Sequence, residues 1–293
     1  MDLNNKMDSQ NLRVTIMMPV YNGEKTLERA IKSLLLQTYT NWKCIIVNDG
    51  STDGTAKYLD SIADERFIII HLDSNKGRPF ARQTALDASN GDLLAFLDAD
   101  DFYHPEKLFK QVEIFNKFPE IDLVSCGMGS FDQLNKLKRV RGTSAERVNR
   151  VLLYNFTGTF EAPHAASMVR VKLAKFIGYN KRLKFAQDSD FFVRYLQGKK
   201  YLIIGDLLYY YSEFESVTKS KIIKTNFYVL KRAVTYFKDY PVESIRLILI
   251  TMIKLVYTIL IFPFVRNDYF VKKRGTIPNT DQLNNFKEIF LKL

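Results

Sequence analysis

Residues 92–101 read Asp-Leu-Leu-Ala-Phe-Leu-Asp-Ala-Asp-Asp. The unbroken apolar run of residues 93–97 suits a strand buried on both faces of a parallel sheet, and it ends abruptly in Asp98, Asp100 and Asp101. Carboxylates delivered at the end of a buried strand are costly unless something cationic meets them. A divalent metal with a phosphate-bearing ligand fits, because Mg²⁺-type ions take one or two carboxylates together with substrate phosphates. The competing reading is capping of a helix that begins near Pro105 and Glu106. Capping would account for Asp101 but not for Asp98, which still belongs to the strand.

The elements that carry this run alternate in type. Strands are expected at 14–18, 42–47, 67–72 and 93–97, with helices at 24–36, 52–63 and 79–89 between them. Asn90-Gly91 reads as a C-cap pair for the third helix. The βαβαβαβ order implies an α/β fold, a mainly parallel twisted sheet flanked by helices, with ligands in the crevice beyond the carboxyl ends of the strands. Pro19, Asp49 and Asp98 fall at those ends. Further on, a helix is expected at 106–118, strands at 121–126, 165–170 and 201–211, and a helix at 189–196, with a less regular stretch up to Tyr154.

The net charge of +11 is uneven: after Val217 there are 14 Lys/Arg against 5 Asp/Glu. A basic tail fits nucleic acid or an anionic membrane surface. The apolar stretch inside it, residues 244–265, favours the membrane and argues against nucleic acid. It reaches the roughly 20 residues needed to span a bilayer. Arg246 and Lys254 oppose a simple span, since a mid-membrane Lys costs about 3 kcal/mol. Thr251, Lys254 and Thr258 form a thin polar stripe, Pro263 ends or kinks the helix, and Arg266, Lys272, Lys273 and Arg274 follow. An interfacial helix ranks ahead of a helix packed on the domain and ahead of a span. Cys44 and Cys126 lie on apolar segments without metal-ligand spacing and read as buried free thiols in a reducing compartment. Residues 1–13 lack the apolar core of a secretory signal. These features together suggest a cytoplasmic protein, peripheral on the inner face of the cell membrane through residues 244–274.

Five segments occur in order: Thr15-Ile-Met-Met-Pro-Val-Tyr-Asn-Gly-Glu24, Ile46-Val-Asn-Asp-Gly-Ser-Thr-Asp-Gly-Thr55, Asn75-Lys-Gly with Ala81-Arg82, Gly91 to Asp101, and Gln187-Asp-Ser-Asp190. The series resembles family 2 glycosyltransferases of the GT-A fold, over about residues 12–215. The resemblance implies inverting transfer of a sugar from a nucleotide-diphosphate sugar, usually a UDP-sugar. It divides the chain into a nucleotide-binding half (12–104), an acceptor half (105–215) and a helical, basic, membrane-associating region (216–293).

What the resemblance implies for each position can be set beside its chemistry. Pro19, Tyr21 and Glu24 belong to the loop that lies along the nucleotide. Asp49 matches the carboxylate that accepts from the base, although Asp before Gly is also a common turn pair. Ser51, Thr52 and Asp53 read as helix caps. Arg82 matches an arginine near the donor phosphates, or is an ordinary helix arginine. Asp98, Ala99 and Asp100 match the DxD motif: Asp98 toward the ribose or a metal-bound water, Asp100 binding Mn²⁺ or Mg²⁺. Inversion needs a base opposite the leaving group; Asp188 is the first candidate and Asp190 the second, against the alternative that both cap a helix. Gln187 stands where an acidic residue is more common. His164 is left without a chemical role. Tyr209-Tyr-Tyr-Ser-Glu213 replaces a Tyr-Arg-x-His run, and the Gln-x-x-Arg-Trp motif of processive synthases is absent, which points to addition of a single sugar. The implied acceptor is a saccharide or lipid-linked saccharide in surface polysaccharide assembly. The rival readings are a catalytically silent nucleotide-sugar-binding scaffold and a nucleotidyltransferase, whose Gly-rich phosphate loop this chain lacks.

Overall fold

Strand β1 (Val14–Val20) is buried along nearly its whole length, and its alternate residues serve two cores. Val14, Ile16 and Met18 pack on one face of the sheet and Met17 on the other. β4 (Leu93–Phe96) does the same, with Leu93 and Ala95 on the first side and Leu94 and Phe96 on the second. Burial on both faces is why these segments are continuous apolar runs. The computed structural model describes residues 11–143, 148–154, 162–183, 185–212, 219–265, 269 and 274–293. The expected basic positions Arg266, Lys272 and Lys273, and Glu213, lie outside the described residues.

Between β1 and β4 come α1 (Leu27–Leu35), β2 (Trp42–Asn48), α2 (Thr55–Asp60), β3 (Phe67–His71) and α3 (Arg78–Ala88). After them come β5 (Phe102–Tyr103), α4 (Lys107–Lys117), β6 (Leu123–Phe131), β7 (Leu137–Arg141), β8 (Val151–Tyr154), β9 (Met168–Arg170), α5 (Val171–Ile177), α6 (Gln187–Leu196) and β10 (Lys199–Ser212). The sheet order is β3-β2-β1-β4-β9-β6-β10-β5, with β7 on β6 and β8 on β10. β1, β2, β3 and β4 run parallel, as do β6 and β10, while β9 is antiparallel to both its neighbours. The chain travels outward from β1 to β3 and then returns to place β4 on the other side of β1. That reversal opens a crevice at the carboxyl ends of β1 and β4, the place where open α/β sheets bind ligands.

Two local expectations change. α3 ends on Ser89 in an extended conformation, so Asn90-Gly91 is not its left-handed cap. Gly91 is needed for a close approach instead, since a Cβ there would sit 2.5 Å from the Arg13 carbonyl oxygen. The expected strand at 165–170 starts only at Met168, because a turn closed by Ser167 N–H on the His164 carbonyl occupies its first half.

The C-terminal residues divide. α7 (Lys219–Thr235) and α8 (Pro241–Ile261) pack on each other and place Ala233 and Leu247 in the second core. α9 (Thr280–Phe290) lies on another part of the sheet, where Phe286 and Ile289 join Phe102, Phe131 and Tyr210 in a third core. A reciprocal cap between Asn279 and Gln282 starts α9. On α8, the side facing the protein carries Ser244, Leu247, Thr251, Leu255 and Thr258. The outer side carries Leu249, Ile253, Leu260 and, just beyond the helix, Phe264, which are 59–84% exposed. The hydroxyl-bearing side is turned inward and the apolar side outward, the reverse of a helix on a water-soluble surface.

Candidate active site

The loop after β1 is set by Asn22, which adopts a left-handed conformation (φ 52°). Its Oδ1 accepts the Thr52 N–H at 2.8 Å, and its own N–H donates to Ser51 Oγ at 2.9 Å. Ser51 and Thr52 therefore join the β1 and β2 loops and do not cap a helix, whereas Asp53 Oδ1 accepts the N–H of Thr55, the first residue of α2, at 3.0 Å. Pro19 and Tyr21 line a cleft of about 400 Å³ together with Asp49, Gly77, Asp98, Ala99 and Asp100. Glu24 lies outside that lining. Its Oε2 accepts the Gly54 N–H at 3.1 Å, which supports the first turn of α2.

Asp49 is buried at the end of β2, and its two carboxylate oxygens accept the N–H groups of Lys76 and Gly77 at 2.8 and 2.9 Å. Gly77 has φ 90°, a conformation that side chains rarely adopt, and it precedes α3 directly. The buried carboxylate thus fixes the loop that leads into α3, the helix that carries Arg78 and Arg82.

Beyond β4, Leu97 N–H still donates to Met17 O at 3.0 Å, so the chain leaves the sheet only at Asp98. Arg82 is buried and donates from Nη2 to Asp98 Oδ1 at 3.1 Å. Burial alone would raise the Asp98 carboxyl, but the charge of Arg82, then that of Arg78, outweighs it and holds the group at about 2. Arg82 is raised in turn: burial opposes its charge, and Asp98, Tyr179 and Asp188 more than compensate. Asp100 is exposed on the cleft, and its carboxyl is raised by the surrounding protein and by the charge of Asp98. Arg29 anchors its backbone, donating to the Asp100 carbonyl at 2.8 Å while lying 5.0 Å over the Phe131 ring. Asp101 is neither a cap nor cleft-free: it accepts from Tyr209 Oη at 2.6 Å and Ser212 N–H at 3.0 Å. Burial first, then the charges of Asp100 and Asp98, push its carboxyl well up.

A second cavity, of about 460 Å³, shares Arg78 and Asp98 with the first. Its wall also holds Arg82, His164, Asp188, Ser189, Arg141 and Tyr211. Asp188 therefore stands across the same space as the Arg82–Asp98 pair. Asp190 does not: its Oδ2 takes Nε and Nη2 of Arg194 at 3.0 and 2.8 Å, one helical turn on. His164 is buried, with Nε2 2.7 Å from Tyr179 Oη and its ring 4.1 Å from Phe96. Burial, reinforced by Arg82, keeps it well below the usual histidine value, hence neutral at pH 7.

The donor set fits a phosphate-bound divalent ion. Among the described residues Asp100 makes no ion pair, while Asp98 keeps Arg82. No three acidic, histidine or cysteine side chains converge among the described residues, so the protein alone supplies too few ligands. Mg²⁺-type ions that sit on substrate phosphates need no more. Arg82 Nη1 is buried without a hydrogen-bond partner, an orphaned donor at the junction of the two cavities. Arg78, Arg141 and Tyr211 were not visible as site residues in the sequence. Arg78 occupies the first position of α3 and stood beside the quoted Asn75-Lys-Gly segment. Tyr211 lay in the Tyr209–Glu213 run noted only for its departure from the family pattern, and Arg141 comes from β7, which no motif marks.

Comparison with known proteins agrees with this architecture. The chain is 36% identical over 124 residues to the putative glycosyltransferase EpsE of Bacillus subtilis, covering 41% of this chain and 45% of that protein. It is 35% identical over 122 residues to WfgD of Escherichia coli, named a UDP-Glc:α-D-GlcNAc-diphosphoundecaprenol β-1,3-glucosyltransferase, covering 42% and 47%. The chain thus spans about half the length of the curated relatives it matches. Among solved structures, S. aureus TarS 1–349 in complex with UDP-GlcNAc superposes with a TM-score of 0.64 at 18% identity, over 95% of this chain and 79% of that one. The Pyrobaculum calidifontis mannosyltransferase PcManGT, in complex with GDP-Man and Mn²⁺, gives 0.60 at 17%, over 96% and 81%. At such identities these two show a shared fold. A family model described as Glycosyl transferase family 2 matches residues 15–177, more than half of the chain, and the protein belongs to that family.

Proposed function

We propose that this protein is an inverting glycosyltransferase that moves one sugar from a UDP-sugar to a lipid-linked saccharide at the cytoplasmic face of a membrane. The observation that carries the reading is the pair of cavities meeting at Arg78 and Asp98, with the exposed Asp100 in one and Asp188 on the wall of the other. The first suits a nucleotide: Tyr21 offers a ring, Asp49 a carboxylate and Arg78 a positive charge. Asp98 and Asp100 would hold Mn²⁺ or Mg²⁺, which supplies positive charge to the diphosphate as the leaving group departs. The second cavity receives the acceptor. Its hydroxyl oxygen bonds to the anomeric carbon, the bond from that carbon to the diphosphate oxygen breaks, and the hydroxyl proton passes to Asp188. Neutral His164 and cationic Arg82 keep the charge around Asp188 from becoming purely negative. WfgD, by its name, acts on a diphosphoundecaprenol-linked sugar, which supports an acceptor of that class.

The outward apolar face of α8 supports the membrane clause. Residues 241–264 are long and apolar enough to cross a bilayer by composition, with a mean hydropathy of 2.3. Packing against α7 and the exposed Arg246 and Lys254 favour an interfacial position on anionic lipid instead. The buried, unpaired Cys44 and Cys126 accord with a reducing compartment.

The test is release of nucleoside diphosphate from UDP-, GDP- and dTDP-sugars with and without Mn²⁺, with Asp100→Asn alongside. Metal-dependent release of UDP, lost in the variant, is expected. Binding of nucleotide with no turnover under any donor or acceptor would move the protein to the silent-scaffold reading.

A further inference from the structure

Arg232 lies on α7, outside the cleft, and its Nη1 donates to Ser189 Oγ at 2.6 Å. Ser189 follows Asp188 directly, and its backbone N–H donates to Asp188 Oδ1 at 2.8 Å. Arg232 therefore fixes the side chain of Ser189, the residue whose backbone N–H holds the carboxylate on the acceptor-side wall. The first turn of α6 needs such support. It starts from Ala186 in a left-handed conformation (φ 54°), disfavoured for a residue with a Cβ, and no side chain caps it. Arg194 holds Asp190 on this turn, and Arg232 holds Ser189. Asp188 and Ser189 face the acceptor cavity, while Asp190 and Arg232 face a separate cavity of about 270 Å³ between α6 and α7. A charge-assisted bond from a guanidinium is suited to fixing a hydroxyl in one orientation.

We propose that Arg232 is a positioning residue for Asp188, so that α7 braces the first turn of α6, which carries that carboxylate. The inference rests on the reading of Asp188 as the base. α7 also packs on α8, so the helix pair that presents the outward apolar surface supports the base as well.

The full-length protein would be tested by Mn²⁺-dependent hydrolysis of the nucleotide sugar that turns over in the donor panel, where water takes the place of the acceptor hydroxyl. UDP serves as the binding probe and Tm as the stability readout. Arg232→Ala and Ser189→Ala should each lower kcat on the order of 10- to 100-fold. KM for the donor and UDP affinity should stay within about twofold of the parent, since the donor cleft is untouched. The double variant should be no slower than either single one, and Arg232→Lys should restore part of the loss. Wild-type kcat in both alanine variants beside an inactive Asp188→Asn would overturn this inference alone. Additive losses that track a falling Tm would also overturn it, as a purely structural role. An active Asp188→Asn would remove the base reading and this inference with it. Should Arg232→Ala fail to fold, Ser189→Ala removes the same bond and decides the matter.

Discussion

The Arg82–Asp98 pair makes a quantitative test of how the cleft manages charge. Their side chains are 5% and 27% exposed, and one bond of 3.1 Å joins them. Asp98 is held at about 2, against the usual 3.8, despite its burial. At about 1.4 kcal/mol per pH unit, that difference is worth about 2 kcal/mol in favour of the ionised form. The pKa is depressed in the folded state, so this stability is fully present above pH 3.8 and is lost as pH falls through 2. At pH 3 about half of it remains. The full figure is a balance of burial against Arg82, Arg78 and His164, of which Arg82 is the largest charge. A double-mutant cycle with Arg82→Met and Asp98→Asn, followed by urea unfolding without metal or nucleotide, should therefore give a coupling on the order of 2 kcal/mol at pH 7 that falls by about half at pH 3. A coupling below about 0.5 kcal/mol at pH 7 would place the pair in the range of water-screened surface bridges and refute the reasoning. It would also release Asp98 to serve as a metal ligand on equal terms with Asp100.

Lys107 is fully buried, with Nζ 2.8 Å from Gln111 Oε1 and 4.1 Å from the centre of the Tyr103 ring; burial pushes its ammonium down to about 8. Between pH 8 and the usual 10.5 the unfolded chain holds a proton that the folded one has released, so this site adds stability as pH rises. Lys107→Met removes that pH dependence but leaves the buried Gln111 Oε1 without its donor, a cost of about 1–3 kcal/mol. The variant should therefore lose stability relative to the parent by about 2 kcal/mol more at pH 10 than at pH 7; parallel stability curves across that range would contradict it. Asp190→Asn should lower stability by less than about 1 kcal/mol and leave donor affinity unchanged, because its partner is the partly exposed Arg194; loss of UDP binding would show that it reaches the donor cleft. Ile253→Glu combined with Leu260→Glu should abolish sedimentation with vesicles containing anionic lipid while leaving hydrolysis of the donor intact; co-sedimentation equal to the parent would remove α8 from the membrane reading.

The acidic end of β4 was legible because its strand is apolar on both faces, so Asp98 and Asp100 stand out against a run that has no other polar residue. The helical start at Asp188 was legible too, and Asp188 was ranked ahead of Asp190, but by its place in a motif and not by which acid faces the cleft. Only the geometry separates them, since Arg194 lies one turn after Asp190 and takes it. Ser51 and Thr52 have the residue types of helix caps and were read as such, yet the nearest acceptor and donor were on Asn22, in a loop brought close by the sheet. Glu24 was grouped with the nucleotide loop by its place in a motif, whereas it meets Gly54 across thirty positions of sequence. Arg232 and Ser189 are 43 positions apart; Ser189 sits within the Gln187-to-Asp190 segment, but no motif marks Arg232 as its partner. On α8 the sequence put Thr251, Lys254 and Thr258 on one polar stripe, but Thr251 and Thr258 are buried against the protein and Lys254 is exposed, a division set by how the helix packs. Local pattern reports periodicity and residue type; it carries no information about which partner arrives from a distant segment.

α8 is held on both sides of its sequence: α7 packs on it, and after it α9 is inserted among Phe102, Phe131 and Tyr210 of the sheet. A helix attached at one end would act as a tether, leaving the body free to tumble above a lipid surface. On the membrane-associated reading proposed above, a helix fastened fore and aft would act as a keel. The cleft would then keep one height and one heading relative to the bilayer, and the search for a lipid-borne acceptor would become a problem of lateral diffusion in two dimensions.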